Sequence, residues 1–448
     1  MPDLLAARAQ MGTSLAFHIV FSVLGVGLPL LLCIAEGLAL KRKDATWMML
    51  TRRWTRAAVI LFVIGAVSGT IISFELGLLW PTYIKYSGAV VGLPFMLEGF
   101  AFFMEAIFFG LYLYGWDRLS PRAHWLCSFP IWISGLASAW FIVSANSWMN
   151  TPVGFVLKDG KVTGINPIQA MLNPSTPYET VHMILASYVA TGFAVAAVYA
   201  VGMLRGKRDD YHRKGLMLAL AMGVIAIPLQ IISGDFNARY VAHLQPAKFA
   251  AMEGIFHTES GPPLRIGGLA DPTTGQVYYA LEIPYGASLL VNGDLNSTIK
   301  GLDAFAPDDR PNPLPVHASF DGMVGSGFFV LFIALLFWFL YWRKKRVVPE
   351  NRLLLWAIVL CAPLSFLAVE LGWMVTELGR QPWVIYGVLR TKDAVTTAPG
   401  LNFSFLLFSF IYVVLSAALI RLLLGVARLP LPKVETPGQP QERQIAGV

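Results

Sequence analysis

Residues 11–40 read MGTSLAFHIVFSVLGVGLPLLLCIAEGLAL, an apolar run broken by one histidine and one glutamate, with no lysine, arginine or aspartate. A bilayer core needs roughly 20 apolar residues to be crossed by a helix, and this run exceeds that length. It is also longer than the apolar core of a signal peptide, so it reads as a retained membrane helix. The pattern recurs along the chain. About nine such runs fall near 14–40, 54–78, 94–116, 125–148, 180–204, 215–234, 318–342, 352–375 and 402–426.

Composition agrees with that reading. The chain has 448 residues, is 56% hydrophobic and only 14% charged, with a mean hydropathy of +0.60. A water-soluble chain this long would need far more charge to cover its surface. The net charge of +7 sits in short clusters between apolar runs, such as Lys41, Arg42 and Lys43, or Arg343 to Arg346. Such clusters set membrane topology and are not a nucleic-acid footprint. The three cysteines, Cys33, Cys127 and Cys361, share no metal-ligand or CxxCH spacing, which excludes a disulfide framework, an iron–sulfur cluster and covalently attached haem.

The expected fold is therefore an all-α, polytopic transmembrane bundle of about nine spans. The loops after the first, third, fifth and seventh spans are basic, as is the C-terminal end, so the N-terminus is expected outside and the C-terminus in the cytoplasm. One transmembrane domain is expected over 1–430, including a large external loop at 235–317. Loops of that length are usually functional or disordered, and the helical look of 245–253 favours function. Residues 431–448, rich in Pro, Gln and charge, are expected to form a disordered cytoplasmic tail. There is no internal repeat and no soluble domain.

Ionisable groups inside a bilayer are costly, so each needs a reason. The candidates are His18, Glu98, Glu105, His182, Glu370 and Glu377, with Met323 opening the seventh span. On the expected topology His18, Glu98, His182, Met323 and Glu377 all fall in the outer part of the bilayer. Histidine, methionine and carboxylate are ligands that hold haem iron. Each residue alone also has a bland reading: an interfacial histidine, a packing methionine, a carboxylate pair bonded to a neighbouring helix. Shared depth is what favours ligands. A haem-copper oxidase needs about half a dozen intramembrane histidines, whereas of the seven here His124, His212, His243 and His257 read as loop residues. A dihaem cytochrome b would pair histidines along single helices, and no such pair exists.

Several motifs carry a more specific signal. They are Glu98-Gly99-Phe100-Ala101-Phe102-Phe103-Met104-Glu105-Ala106; Gly115-Trp116-Asp117-Arg118-Leu119; Ala145-Asn146-Ser147-Trp148-Met149-Asn150-Thr151-Pro152-Val153-Gly154; Gln245-Pro246 with Lys248 and Glu253; Met323-Val324-Gly325; and Glu377-Leu378-Gly379-Arg380-Gln381-Pro382-Trp383. Through them the chain resembles subunit I of the cytochrome bd-type quinol oxidases, in a short external-loop form, over nearly its whole length.

The resemblance implies a haem-carrying quinol:oxygen oxidoreductase that oxidises quinol on the outer face and reduces O2 to water with cytoplasmic protons. It implies that His182 and Met323 are the axial pair of a low-spin haem b. His18 and Glu377 would each hold a high-spin haem, one of b type and the other of d type or a second b, in either order. Lys248 and Glu253 match quinol-binding residues, Glu98 and Glu105 match proton-delivering carboxylates near the haems, and Arg380 and Trp373 match a propionate partner and a nearby aromatic. Implied partners are subunit II, a small single-helix subunit, membrane lipid, quinol and O2, with no nucleic acid. The implied location is a bacterial (inner) or archaeal cytoplasmic membrane. One departure stands out: where members of the family often carry a basic residue two positions before the methionine, this chain has Asp321. The competing functions are a proton or ion transporter with a carboxylate relay, for which the sequence offers no broken helix or repeat, and a haem-binding relative without oxygen reduction.

Overall fold

A computed structural model describes residues 2–430; the expected tail at 431–448 lies outside the described residues. The long helices are α1 (Asp3–Arg42), α2 (Ala45–Leu79), α3 (Pro81–Tyr114), α4 (Pro121–Asn150), α6 (Thr176–Leu204), α7 (Asp210–Leu244), α10 (Pro313–Arg343), α11 (Arg352–Gly379) and α13 (Leu401–Arg428). Among the described residues these are the nine helices long and apolar enough to cross a membrane. The short elements between them are the hairpin β1 (Val156–Lys158) and β2 (Lys161–Thr163), the turn-length helices α5 (Pro167–Met171), α8 (Pro246–Met252), α9 (Gly286–Asn292) and α12 (Thr391–Ala394), and eight further short strands.

Helix starts follow local chemistry. Asp44, Ser120, Asp209, Asn312 and Asn351 each accept a backbone N–H of the first turn with their side chains, the usual device for satisfying orphan donors. Proline at the start of α3, α4, α6, α8 and α10 uses a position where no N–H is needed. Prolines 29, 94, 130, 228 and 363 lie inside long helices, which a membrane bundle tolerates because neighbours re-satisfy the freed groups.

Helix α1 is central, packed against α2, α4, α6 and α13, while α6 packs against α7 and α11. Association of apolar helices in lipid depends on close approach of small residues. Here a Cβ at Gly27 of α1 would lie 2.2 Å from Thr191 Oγ1 of α6, and one at Gly192 of α6 would lie 2.6 Å from the Gly223 backbone nitrogen of α7. Helix α13 lies at the edge: of its residues only Leu401 and Tyr412 are buried, and Tyr412 packs on Phe17 of α1 at 4.6 Å between ring centroids.

The two ends of the bundle differ. At one end the connections are short and basic, closed by ion pairs such as Lys214 with Asp210 (2.5 Å) and Arg213 with Glu350 (2.7 Å). At the other end the segments 151–175, 245–312 and 380–400 fold over the helices. A second apolar core there joins Ala6, Trp80, Trp148, Ile385 and Leu401. The large loop is shorter than expected, because α7 continues to Leu244 and α10 already starts at Pro313; the helical periodicity simply extends past the apolar runs. Its interior is a nested ladder: β5 (Leu269–Asp271) pairs with β6 (Gln276–Tyr278), β4 (Leu264–Ile266) with β7 (Leu281–Ile283), and β3 (Glu259–Ser260) with β8 (Thr298–Ile299), all antiparallel. The last short pair is β9 (Trp383–Ile385) with β10 (Leu389–Arg390).

Candidate functional site

His18 lies on α1 with its Nδ1 2.9 Å from Ser68 Oγ, while Ser68 Oγ donates to the Ile64 carbonyl at 3.0 Å. With the serine hydrogen on that carbonyl, Nδ1–H donates to Ser68 and the Nε2 lone pair is left free. That is the tautomer a metal-ligating histidine needs, with its other nitrogen held by a second partner. His182 on α6 lies between Ser233 (Nδ1 to Oγ, 3.4 Å) and Gln230 (Nε2 to the amide nitrogen, 3.0 Å). As placed, the Gln230 amide N–H donates to the Nε2 lone pair of His182, and the Gln230 amide oxygen is buried without a partner.

The space beside these ligands is built from glycine. A Cβ at Gly69 would lie 3.0 Å from His18 Cε1, one at Gly234 would lie 3.3 Å from His182 Cε1, and one at Gly372 would lie 3.1 Å from Met323 Sδ. His18, His182 and Met323 thus each pack on a glycine of a neighbouring helix. Among the described residues no three His, Cys, Asp or Glu side chains gather as a metal-ion site. Single His, Met and carboxylate donors, with no cluster of three, suit a macrocycle that brings four nitrogens of its own and asks the protein for one or two ligands. The residues fit haem.

Glu377, near the end of α11, accepts from Asn146 Nδ2 at 2.7 Å and pairs with Arg380 through its other oxygen. Arg380 is buried, and its Nε has no partner. From there a polar network crosses to the loop: Arg380 Nη1 donates to Asn150 Oδ1 at 3.3 Å, Lys248 Nζ donates to the same oxygen at 2.9 Å, and Asn150 Nδ2 donates to Glu179 Oε1 at 3.4 Å. Two cations and two carboxylates balance there. Trp373 packs at the junction of α1, α6 and α11 with Ile19, Ala190 and Val369. Glu98 accepts from Ser138 at 3.1 Å, and Glu105 is buried two turns further along α3 with one oxygen unpartnered.

Read as loop residues, Lys248 and Glu253 would ordinarily be solvated. Instead they are 5% and 1% exposed, because α8 docks as a plug against α7, α10 and α11. Gly379 leaves the room: a Cβ there would lie 2.6 Å from Lys248 Cγ. Burial pushes the Lys248 ammonium down to about 7 against the pull of Glu179. Burial pushes the Glu253 carboxyl up to about 8, and the nearby Asp321 carboxylate adds to the rise. Asp321 does not stand alone, since His317 Nε2 is 3.2 Å from its Oδ2.

Sequence reasoning missed some of this. Glu179 sits in the first turn of α6, where an acid usually serves the helix dipole. His124, His212 and His243, read as loop residues, lie within α4 and α7. His124 is buried, with Nδ1 2.7 Å from Glu36 Oε1 and Nε2 2.8 Å from the Tyr112 carbonyl. Its partners are protein oxygens on both sides, so it is no free ligand.

The sequence pattern of the family described as cytochrome bd terminal oxidase subunit I matches residues 6–430. A Bacillus subtilis (strain 168) protein, provisionally named as a cytochrome bd menaquinol oxidase subunit I, is 39% identical over 95% of this chain and 96% of its own. The cytochrome bd ubiquinol oxidase subunit 1 of the same organism is 31% identical, covering 94% and 92%. Among solved structures, the bd oxidase from Geobacillus thermodenitrificans matches with a TM-score of 0.89 at 37% identity, over 95% of this chain and 98% of that one.

Proposed function

The chain belongs to the cytochrome bd terminal oxidase subunit I family, and from that membership we propose how its residues divide the work. As a member it is a multi-pass membrane protein, the haem-carrying catalytic subunit of a quinol oxidase that works with a subunit II. The reaction is 2 QH2 + O2 → 2 Q + 2 H2O. A carboxylate-relay transporter and a relative without oxygen reduction are not favoured.

His182 and Met323 would hold a low-spin haem b, and His18 and Glu377 would each hold one high-spin haem, one of b type and one of d type or a second b. When bound, these groups supply the one-electron chemistry that connects quinol to oxygen. The protein's own part is positional and electrostatic. Ser68 fixes the His18 tautomer. Arg380 offers a buried cation to a propionate, and Trp373 packs at the junction between the ligand-bearing helices. Lys248 and Glu253 would bind quinol under the loop, and Glu98 and Glu105 would hand protons along α3, about 10 Å apart on one face.

With the loop end outward and the basic end in the cytoplasm, quinol protons leave outside while water formation draws protons from inside, so charge is separated without a pump. The setting is the cytoplasmic membrane of a bacterium or archaeon, with lipid around the bundle and a small single-helix subunit as a further partner.

The observation that most supports this reading is the buried network from Lys248 through Asn150 to Arg380 and Glu377, which ties the loop to a ligand-bearing helix. The test is pigment extraction with reduced-minus-oxidised spectra on the purified complex. His18→Ala and Glu377→Ala should each remove one high-spin haem and spare the low-spin one; retention of all haems in both variants would refute the ligand assignment.

A further inference from the structure

His317, in the second turn of α10, is 1% exposed, and both of its ring nitrogens face oxygen. Nδ1 is 2.6 Å from the Met252 carbonyl, and Nε2 is 3.2 Å from the Gly267 carbonyl. A carbonyl accepts and never donates, so at 2.6 Å it is Nδ1–H that donates to Met252. Nε2 lies 3.2 Å from both the Gly267 carbonyl and Asp321 Oδ2, and Asp321 Oδ2 has no hydrogen bond of its own. The same ring touches the backbone on both sides of Glu253. It bonds the Met252 carbonyl, and a Cβ at Gly254 would lie 3.8 Å from it.

Three buried carboxyl oxygens on neighbouring, electrostatically coupled groups are therefore left without a hydrogen-bond partner: Glu253 Oε1, Glu253 Oε2 and Asp321 Oδ2. A buried acceptor without a donor costs about 1–3 kcal/mol, and more when it is charged. Gly267 bonds the Asp321 carboxylate through its backbone, yet these three oxygens have no hydrogen-bond partner. Arg265 of β4 directs its Nε to Glu282 (3.0 Å) and its Nη1 to the Gly254 carbonyl (3.0 Å), and His317 directs Nδ1 to the Met252 carbonyl.

We propose that Asp321 is a second carboxylate of the quinol site, accepting a hydrogen bond from a quinol hydroxyl alongside Glu253, and that His317 is the positioning residue that holds both. This rests on the reading of Glu253 as a quinol contact. The ligand class follows from the chemistry of the gap. A quinol presents two hydroxyl donors, whereas the quinone it becomes presents only acceptors.

The test uses the purified holoenzyme with subunit II and a short-chain quinol. Asp321→Asn should raise KM for the quinol on the order of tenfold or more, from the loss of a hydrogen bond to a charged group, with kcat changed far less. The inhibition constant of the matching quinone should not worsen, because quinone donates nothing to Asp321. His317→Gln, which keeps one donor, should shift KM in the same direction by less. A merely structural role would move the quinol and quinone constants together, and that result, or an unchanged KM, would overturn the inference. If Asp321→Asn fails to assemble its haems, His317→Gln carries the same comparison. If Glu253→Gln also leaves quinol kinetics unchanged, the loop reading itself fails, which is a different outcome from silence at Asp321 alone.

Discussion

Lys248 and Glu179 reach each other through a single amide: Asn150 takes the lysine's hydrogen on Oδ1 at 2.9 Å and gives its own to the glutamate at 3.4 Å. A cation of the loop plug is thereby fixed to an anion of a membrane helix. Lys248→Ala should leave Glu179 and Glu377 with Arg380 as the one remaining cation of the network. Removing one partner of a buried charge pair costs about 3–5 kcal/mol. Quinol kcat/KM should fall by at least about tenfold with haem content retained, as steady-state oxygen uptake and a pyridine-haemochrome assay would register together. Gly379→Ala should mimic part of that loss without altering any charge, because its methyl would stand where Lys248 Cγ lies.

The Glu253 carboxyl gives a pH prediction. Its folded value, about 8, lies above the ordinary 4.5 because burial and Asp321 disfavour the ionised form. A group raised on folding stabilises fully below its unfolded value and loses that contribution as pH rises through its folded one. Stability of the loop should thus decline between about pH 4.5 and 8, with the slope missing in Glu253→Gln; hydrogen exchange over 245–260 measures it. Where ionised Glu253 accepts a quinol proton, kcat/KM should climb toward pH 8 in the parent and stay flat in the variant.

Glycine clearance makes a sharper structural prediction. Gly372→Ala would set a methyl 3.1 Å from Met323 Sδ, so the sulfur must give by a few tenths of an ångström. The low-spin band should shift or vanish while the high-spin bands persist. Gly69→Ala should do the reverse, disturbing the pigment beside His18. If both variants return the parent spectrum, the clearances do not border haem.

Glu105→Gln should separate the two half-reactions. Oxygen turnover should slow by roughly 100-fold, the usual cost of losing a positioned proton donor. Rapid-mixing reduction of the low-spin haem by quinol under anaerobic conditions should keep its rate. A loss in both phases would assign Glu105 to packing.

Much of the bundle was legible because its signals are local. Apolar runs, loop lysines and arginines, and Asx or Ser caps before proline mark helices whatever they pack against. His18, His182 and Glu377 were legible as costly groups in lipid. The buried state of Lys248 and Glu253 was not, because nothing in QPAKFAAME says that the segment docks as a plug rather than floats. The loop's nested strands are only two or three residues long, too short to show alternation. Glu179 and His317 were hidden for a different reason: each sits near the start of a long helix where its residue type is ordinary, and only partners far away in sequence reveal it.

Helix α13 carries a consequence for how the molecule is made. Tyr412 closes over Phe17, the neighbour of His18, across roughly 400 residues of chain, and at about 5–20 residues per second that interval spans on the order of 20 to 80 s of synthesis. Throughout it the α13-facing side of α1 beside His18 lies open to lipid. The last helix to emerge is therefore a door that shuts after the room is built, and pigment delivered to that side has its easiest entry before translation ends.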